Sequence, residues 1–229
     1  KIGDAKDMST LLETLAACIE RGKVNKDAPY PPDMKGQDGS DELTAKALEE
    51  KIDPNDILTE GLMKGMGLVG EKFGRNEVFV PDLLMAARAM SAAMAHLKPY
   101  FDSGAAQRKG KIIIGTVQGD LHDIGKNLVG MVMEGGGWEV IDLGVDVTTE
   151  QFMEAVEANP DCVVGLSALL TTTMINMEKT VNAIKGKDSN IKILLGGAPL
   201  SQEFCDKIGA DAYAPDPQKA LNYLTEACA

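Results

Sequence analysis

Apolar residues recur every three or four positions through the first hundred residues, and in short unbroken runs after that. Met8, Leu11, Leu12, Leu15 and Ile19 form one face of a helix that Gly22 can stop. After the Pro-rich stretch Pro29-Tyr30-Pro31-Pro32, Ser40 is placed to cap a short helix through Leu43, Ala47 and Leu48. Asp53-Pro54 offers a cap followed by proline at the first helical position, and Leu58, Leu62, Met66, Val69 and Phe73 trace the apolar face behind it. Pro81 opens another helix, on which Leu83, Ala87, Met90, Met94 and Leu97 recur until Pro99. The pattern predicts an all-α, four-helix domain over residues 1–101.

Residues 102–110 (DSGAAQRKG) are small, polar and Gly-containing, which is linker chemistry, and the period changes directly after them. Lys111–Val117, Trp138–Gly144, Asp161–Ser167, Ile191–Gly196 and Asp211–Ala214 read as strands, separated by helical stretches near 123–134, 148–158, 172–186, 201–208 and 217–227. Alternating strand and helix predicts a five-stranded parallel sheet covered on both faces, an α/β flavodoxin-like (Rossmann-like) domain over residues 111–229. Ligands of such sheets bind beyond the carboxyl ends of the strands, where the strand order reverses. For a flavodoxin-like order that place is beside the first and third strands.

Composition narrows the function classes. With 35 acidic against 23 basic residues the formal charge is −12, and no Lys/Arg run interrupts it, so neither nucleic acid nor an anionic membrane is an expected partner. No apolar stretch approaches the roughly 20 residues a membrane helix needs, and Lys1-Ile2-Gly3-Asp4 lacks the apolar core of a secretory signal. Cys18, Cys162, Cys205 and Cys228 are scattered without CxxC spacing, which fits reduced packing thiols, and a cytoplasmic location is expected. Aromatics make up only 4%, against 24 Gly and 12 Met, so the interiors must rely on aliphatic side chains, thioethers and close backbone approaches.

The loop after the first strand carries the chemistry: Gln118-Gly119-Asp120-Leu121-His122-Asp123-Ile124-Gly125-Lys126-Asn127. An imidazole on a loop at the switch point, two residues after a carboxylate, has the parts of a metal ligand whose second ring nitrogen is held by an acidic partner. The chain has only two histidines and no cysteine nearby, so a closed tetrahedral zinc site is not expected. The metal must arrive largely coordinated, as in a corrin macrocycle. His96, near a helix end and without a surrounding motif, is expected to be structural. Gly65-Met66-Gly67-Leu68-Val69-Gly70 fits GxGxxG but sits in a helical pattern, so close packing is expected there and not a dinucleotide.

The run Asp120-x-His122-x-x-Gly125, then Ser167-x-Leu169, then Gly196-Gly197 resembles the three-part signature of cobalamin-binding domains that take the cofactor with its nucleotide tail detached from cobalt. The helical domain, including Gly67–Phe73 and Phe79-Val80-Pro81, is similar to the cap of methionine synthase and of small corrinoid proteins in anaerobic methyltransferase systems. The resemblance covers about residues 40–229. It implies cobalamin or a related corrinoid, in its methylcobalamin form, with His122 as the axial cobalt ligand. Asp120 would hydrogen-bond the other ring nitrogen, and Thr173 would extend this relay where methionine synthase has a serine. Ser167 and Thr171 would line the tail pocket, and Gly196 and Gly197 would let the backbone approach the tail. Gly119, Asp123, Ile124, Gly125 and Leu169 complete the implied cofactor-binding segments. In the cap, Phe79, Leu83 and Met90 are the candidates to shield the upper face of the corrin.

The resemblance further implies a methyl carrier, a non-catalytic or co-catalytic subunit of a methyltransferase system and not a whole enzyme. It would accept a methyl group on Co(I) from a substrate:corrinoid methyltransferase and pass it to an acceptor methyltransferase using a folate, pterin or thiol, with a reductive activase as third partner. The segment Tyr30–Gly39 is a candidate docking feature. A cobalamin-dependent sensor would need a DNA-binding segment and a Trp-containing cap motif, whereas the sole tryptophan, Trp138, lies in a strand. A mutase small subunit would lack the helical domain.

Overall fold

The computed structural model describes residues 2–228, with side chains from Met8 onward. The chain divides into two compact units, one reaching to Arg108 and also holding Gly135–Gly137, the other formed by Lys109–Glu134 and Trp138 onward.

The first unit is helical: α1 (Ile2–Glu20), α2 (Ser40–Glu49), α3 (Pro54–Asp56) running through a π-helical stretch Ile57–Met63 into α4 (Lys64–Gly74), and α5 (Val80–Asp102). Leu15, Ile19, Ile57, Leu62 and Leu97 are fully buried. Glycine makes the packing close. A Cβ at Gly65 would lie 2.5 Å from the Ala16 carbonyl oxygen of α1, and one at Gly22, whose φ is +69°, would lie 2.5 Å from Met85 Cβ. Gly65 is therefore helix-packing surface, whereas a Cβ at Gly67 would meet nothing within 4 Å. Asp53 caps as read, accepting the Asn55 amide at 2.8 Å with Pro54 following. Ser40 does not cap α2. Glu42 accepts the Gly39 amide at 2.8 Å instead, and the buried Ser40 hydroxyl donates to the Ala89 carbonyl at 2.7 Å.

Pro99 falls inside α5 and does not end it: the Pro99 and Phe101 carbonyls accept from Ser103 and Gly104 at 3.1 and 3.0 Å, so the last turn closes without the proline's missing donor. The Pro-rich segment is tied down. Arg21 grips Asp33 through two 2.8 Å bonds, buried Lys23 donates to the Ala28 carbonyl at 2.9 Å, and the Tyr30 hydroxyl donates to Asp82 at 3.1 Å. His96 pairs with Asp41 at 2.6 Å.

The second unit is an all-parallel sheet of β1 (Gly110–Thr116), β2 (Trp138–Asp142), β3 (Val163–Ser167), β4 (Ile193–Gly196) and β5 (Ala212–Tyr213), in the order β2-β1-β3-β4-β5. Ile113 pairs with Ile141 on one side and Val164 on the other, and Leu166 with Leu195. The connecting helices are α6 (Ile124–Gly135), α7 (Thr149–Ala158), α8 (Met174–Lys187), α9 (Gln202–Ile208) and α10 (Pro217–Ala227). The two sheet faces differ. Ile113, Val164, Leu166, Ile193 and Leu195 point into a filled core with side chains of α7, α8 and α9, where Phe152 takes the space that a Cβ on Gly115 would claim, its ring 2.6 Å away. The alternate residues of the same strands face α6 and α10, and there the layer is hollow.

Candidate functional site

The strand order reverses between β1 and β3, so their following loops part and leave a crevice. His122 stands on the β1 loop. Its Nδ1 lies 2.7 Å from Asp120 Oδ1, and the Asp120 side chain is fully buried while that of His122 is 51% exposed. Asp120 Oδ1 also accepts the His122 amide at 3.1 Å; Oδ2 accepts the Leu169 and Leu170 amides at 2.8 and 3.1 Å and the Thr173 hydroxyl at 2.9 Å. Burial by itself raises a carboxyl, yet the hydrogen bonds from the His122 ring and from the amides of Leu169, His122 and Leu170 outweigh it, and Asp120 is held far below the usual carboxylate range. An ionised Asp120 can only accept, so His122 carries a proton on Nδ1, and the tautomer this selects for the neutral imidazole has its lone pair on Nε2.

The loop is clamped by residues that the sequence reading did not single out. Asp146, after β2, accepts the Gly119 amide at 2.7 Å and returns its own amide to the Asp120 carbonyl at 3.0 Å, adopting φ +54° to do so. Thr116 donates to the His122 carbonyl and Asn176 to the Gln118 carbonyl, each at 2.8 Å. Buried Lys126 bonds Asp142 at 2.5 Å and Asn127 at 2.7 Å, fixing the first turn of α6 to the end of β2. The available signal was positional: Asp142 ends the strand beside β1 and Asp146 follows it.

Between the sheet and α6/α10 lies a cavity of about 520 Å³ that opens beside His122. Ile112, Ile114, Gly165, Ser167, Leu194 and Gly196, the strand residues facing away from the filled core, line it. Gly197 could be nothing else: its φ is +139° and a Cβ would sit 1.8 Å from the Ala168 carbonyl oxygen.

Of the expected site residues, His122, Asp123, Ile124, Gly125, Ser167, Leu169, Gly196 and Gly197 line this cavity. Asp120 and Thr173 are buried behind His122, and Gly119, with φ +85°, turns the loop. Thr171 stands exposed on the 3-10 turn Thr171–Thr173 and is not among the residues that line the cavity, because Thr173 is the residue that this turn directs inward. In the helical unit the structure places Leu83 and Met90 apart from Phe79 in exposure. They are 1% and 2% exposed, part of the apolar core and without surface for a ligand, whereas Phe79 is 66% exposed.

Among the described residues no three His, Cys, Asp or Glu side chains group to hold a metal ion, and no helix is long and apolar enough to cross a membrane. The family described as B12 binding domain matches residues 110–222, and a second family of the same description matches residues 37–98. A corrinoid protein of Desulfitobacterium hafniense (strain Y51) is 42% identical over 186 residues, 79% of this chain and 86% of that one. Dimethylamine corrinoid protein 1 of Methanosarcina acetivorans is 43% identical over 175 residues, 75% of this chain and 82% of its own. Among solved structures, a cobalamin-binding protein from Desulfitobacterium hafniense DCB-2 matches with TM-score 0.72 at 31% identity, covering 94% of this chain and 98% of that one. The methanol:cobalamin methyltransferase complex of Methanosarcina barkeri contains a chain matching with TM-score 0.80 at 28% identity, covering 96% and 80%.

Proposed function

Because the chain belongs to the corrinoid protein family built on B12-binding domains, we propose that it is a methyl carrier working between two methyltransferases. The observation that carries the reading is the buried Asp120 holding His122 with its Nε2 free at the mouth of a deep cavity. The residues fit a corrinoid. One neutral imidazole suits a metal whose other ligands come in a macrocycle, and Gly196, with open space at its Cβ position on the cavity wall, leaves room for a tail that a larger side chain there would crowd. When bound, the corrinoid supplies the cobalt on which the methyl group is taken up and released.

The protein's part is to hold and orient. His122 would ligate from Nε2, and Asp120 would fix the ring's tautomer and plane through Nδ1. Thr173 and the Leu169 and Leu170 amides hold Asp120 in turn. Ser167, Gly196 and Gly197 would hold the detached tail in the cavity. A substrate:corrinoid methyltransferase would deliver the methyl group, an acceptor methyltransferase would remove it, and a reductive activase would recover oxidised cobalt. The relative in a methanol:cobalamin methyltransferase complex supports the first of these partners. The relatives carry corrinoid-protein names along three quarters or more of this chain, which favours a carrier over a sensor or mutase subunit.

Anaerobic incubation with hydroxocobalamin, followed by gel filtration, should leave stoichiometric corrinoid with a tail-off, His-on absorption spectrum. His122→Ala should retain the corrinoid through its tail and lose the imidazole signature. A folded chain that takes up no corrinoid would refute the carrier reading.

A further inference from the structure

The cavity changes character along its length. At its mouth stand His122, Asp123, Lys126 and Asp216. All four are already engaged: His122 with Asp120, Asp123 accepting from the Asn127 side-chain amide at 3.1 Å, Lys126 with Asp142 and Asn127, and Asp216 as the cap of α10, accepting the Lys219 amide at 2.8 Å. The floor is made by Ile112 and Ile114 of β1, Leu194 of β4, Leu128 and Val129 of α6, and Ala220 of α10. None of these side chains has a polar atom. The backbone of β1, β3 and β4 is committed to sheet pairing at this level, from Ile112↔Val163 through Gly165↔Leu194. Gly165, lacking a side chain, widens the floor, and Ser167 two residues further along β3 brings the first hydroxyl toward the mouth.

We infer that the cavity selects corrinoids whose tail ends in a benzimidazole and discriminates against those whose tail ends in a purine. This deepens the carrier reading and rests on it. A benzimidazole detached from cobalt has one free ring nitrogen, beside the ribose, and an all-carbon six-membered ring to lead into the floor. Adenine in the same pose leads with two ring nitrogens and an amine, which the Ile, Leu, Val and Ala side chains leave unpaired, and a buried polar group without a partner is disfavoured. Apolar pockets reject a near-isostere that adds a polar group by up to roughly a hundredfold. The adenine-tailed corrinoid should therefore bind about ten- to a hundredfold more weakly.

The test titrates the corrinoid-free chain anaerobically, by absorbance and calorimetry, with cobalamin, its adenine-tailed counterpart and base-free cobinamide. The expected order is cobalamin tightest, then the adenine-tailed compound, with cobinamide weakest or equal to it. Equal affinity for the two tailed compounds, both above cobinamide, overturns the selectivity and leaves the carrier reading standing. Equal affinity for cobalamin and cobinamide also overturns it, because the base then does not occupy the cavity. If a folded chain binds none of the three, both readings fail together. Val129→Thr, nearly isosteric, places a hydroxyl at the floor and should narrow the gap between the tailed compounds several-fold; an unchanged gap counts against the floor as its source.

Discussion

Replacing Gly197 by alanine should weaken the α/β unit severely, whereas replacing its neighbour Gly196 by valine should leave the fold intact and remove the tail site. At Gly197 the backbone sits at φ +139° and an added Cβ would lie 1.8 Å from the Ala168 carbonyl oxygen. A non-glycine residue at such a φ costs about 1–3 kcal/mol, and forcing a methyl group against fixed backbone adds about 1–3 kcal/mol more. The sum is a large fraction of the roughly 5–15 kcal/mol that hold a domain together, and should lower the melting midpoint by about 10 °C or more. Gly196 ends β4 with ordinary φ, and nothing lies nearer to its Cβ position than the Ala214 carbonyl oxygen at 3.9 Å. A branched residue suits a strand, so stability should hold or rise by a few tenths of a kcal/mol. Its methyl groups, however, would enter the cavity, and cobalamin should then bind no better than tail-free cobinamide. Fluorescence of the single tryptophan, buried Trp138 in β2, follows unfolding of this unit specifically, and spectrophotometric titration follows binding. The reasoning is refuted if Gly197→Ala melts within about 1 kcal/mol of the parent, or if folded Gly196→Val keeps the parent's preference for cobalamin over cobinamide.

Asp146→Ala should remove the acceptor for the Gly119 amide, at a cost of about 1.5–3 kcal/mol for a charged hydrogen bond, and lower the His-on fraction in the bound spectrum while tail affinity holds; Asp146→Asn, which keeps a side-chain oxygen, should restore most of it. In the helical unit Gly65→Val should destabilise by about 1–3 kcal/mol through its clash with Ala16, while Gly67→Ala, open on all sides, should stabilise by about 0.8–1 kcal/mol; urea unfolding separates the two, and a reversed order would show that α1 and α4 do not pack as described. Burial pushes the Cys18 and Cys205 thiols from 9.0 up to about 11. Folding then favours the protonated form, so this contribution is complete below pH 9 and is lost as pH rises through about 11, a decline that Cys18→Ala should flatten in alkaline melts.

What was legible in the sequence follows from how local each cause is. The 3.6-residue spacing of Leu11, Leu15 and Ile19, and the buried runs such as Ile112-Ile113-Ile114, report their own burial and so mark their elements directly. Asp53-Pro54 is likewise a local device. Ser40 and Pro99 misled because their outcomes were settled at a distance: the Ser40 hydroxyl was drawn to Ala89 in α5, and the turn after Pro99 was closed by Ser103 and Gly104. The π-helical stretch Ile57–Met63 has no sequence mark, since its extra residue per turn reflects packing and not propensity. Leu83 and Met90 show the same limit, because an apolar periodic position reads alike whether it faces a core or a ligand.

The site divides along the same line. Asp120 and His122 are two residues apart and their relation is readable from that spacing, but the groups that make Asp120 an obligate acceptor come from Leu169, Leu170 and Thr173, about fifty residues on. The clamp from Asp146 depends on β2 lying beside β1 in a parallel sheet, which only the strand order supplies. The early shortage of aromatics takes on a physical meaning here. One sheet face is filled by Phe152 and aliphatic side chains, while the other carries Gly165, Ser167 and Gly196 where large side chains would close the cavity. The hollow layer lacks the packing that the filled layer has, and a ligand seated there would add apolar contact that binds only the folded unit. Corrinoid uptake should therefore raise the melting midpoint of the α/β unit in proportion to the logarithm of free corrinoid. Cobinamide, which leaves the hollow layer unfilled, should raise it less at equal concentration.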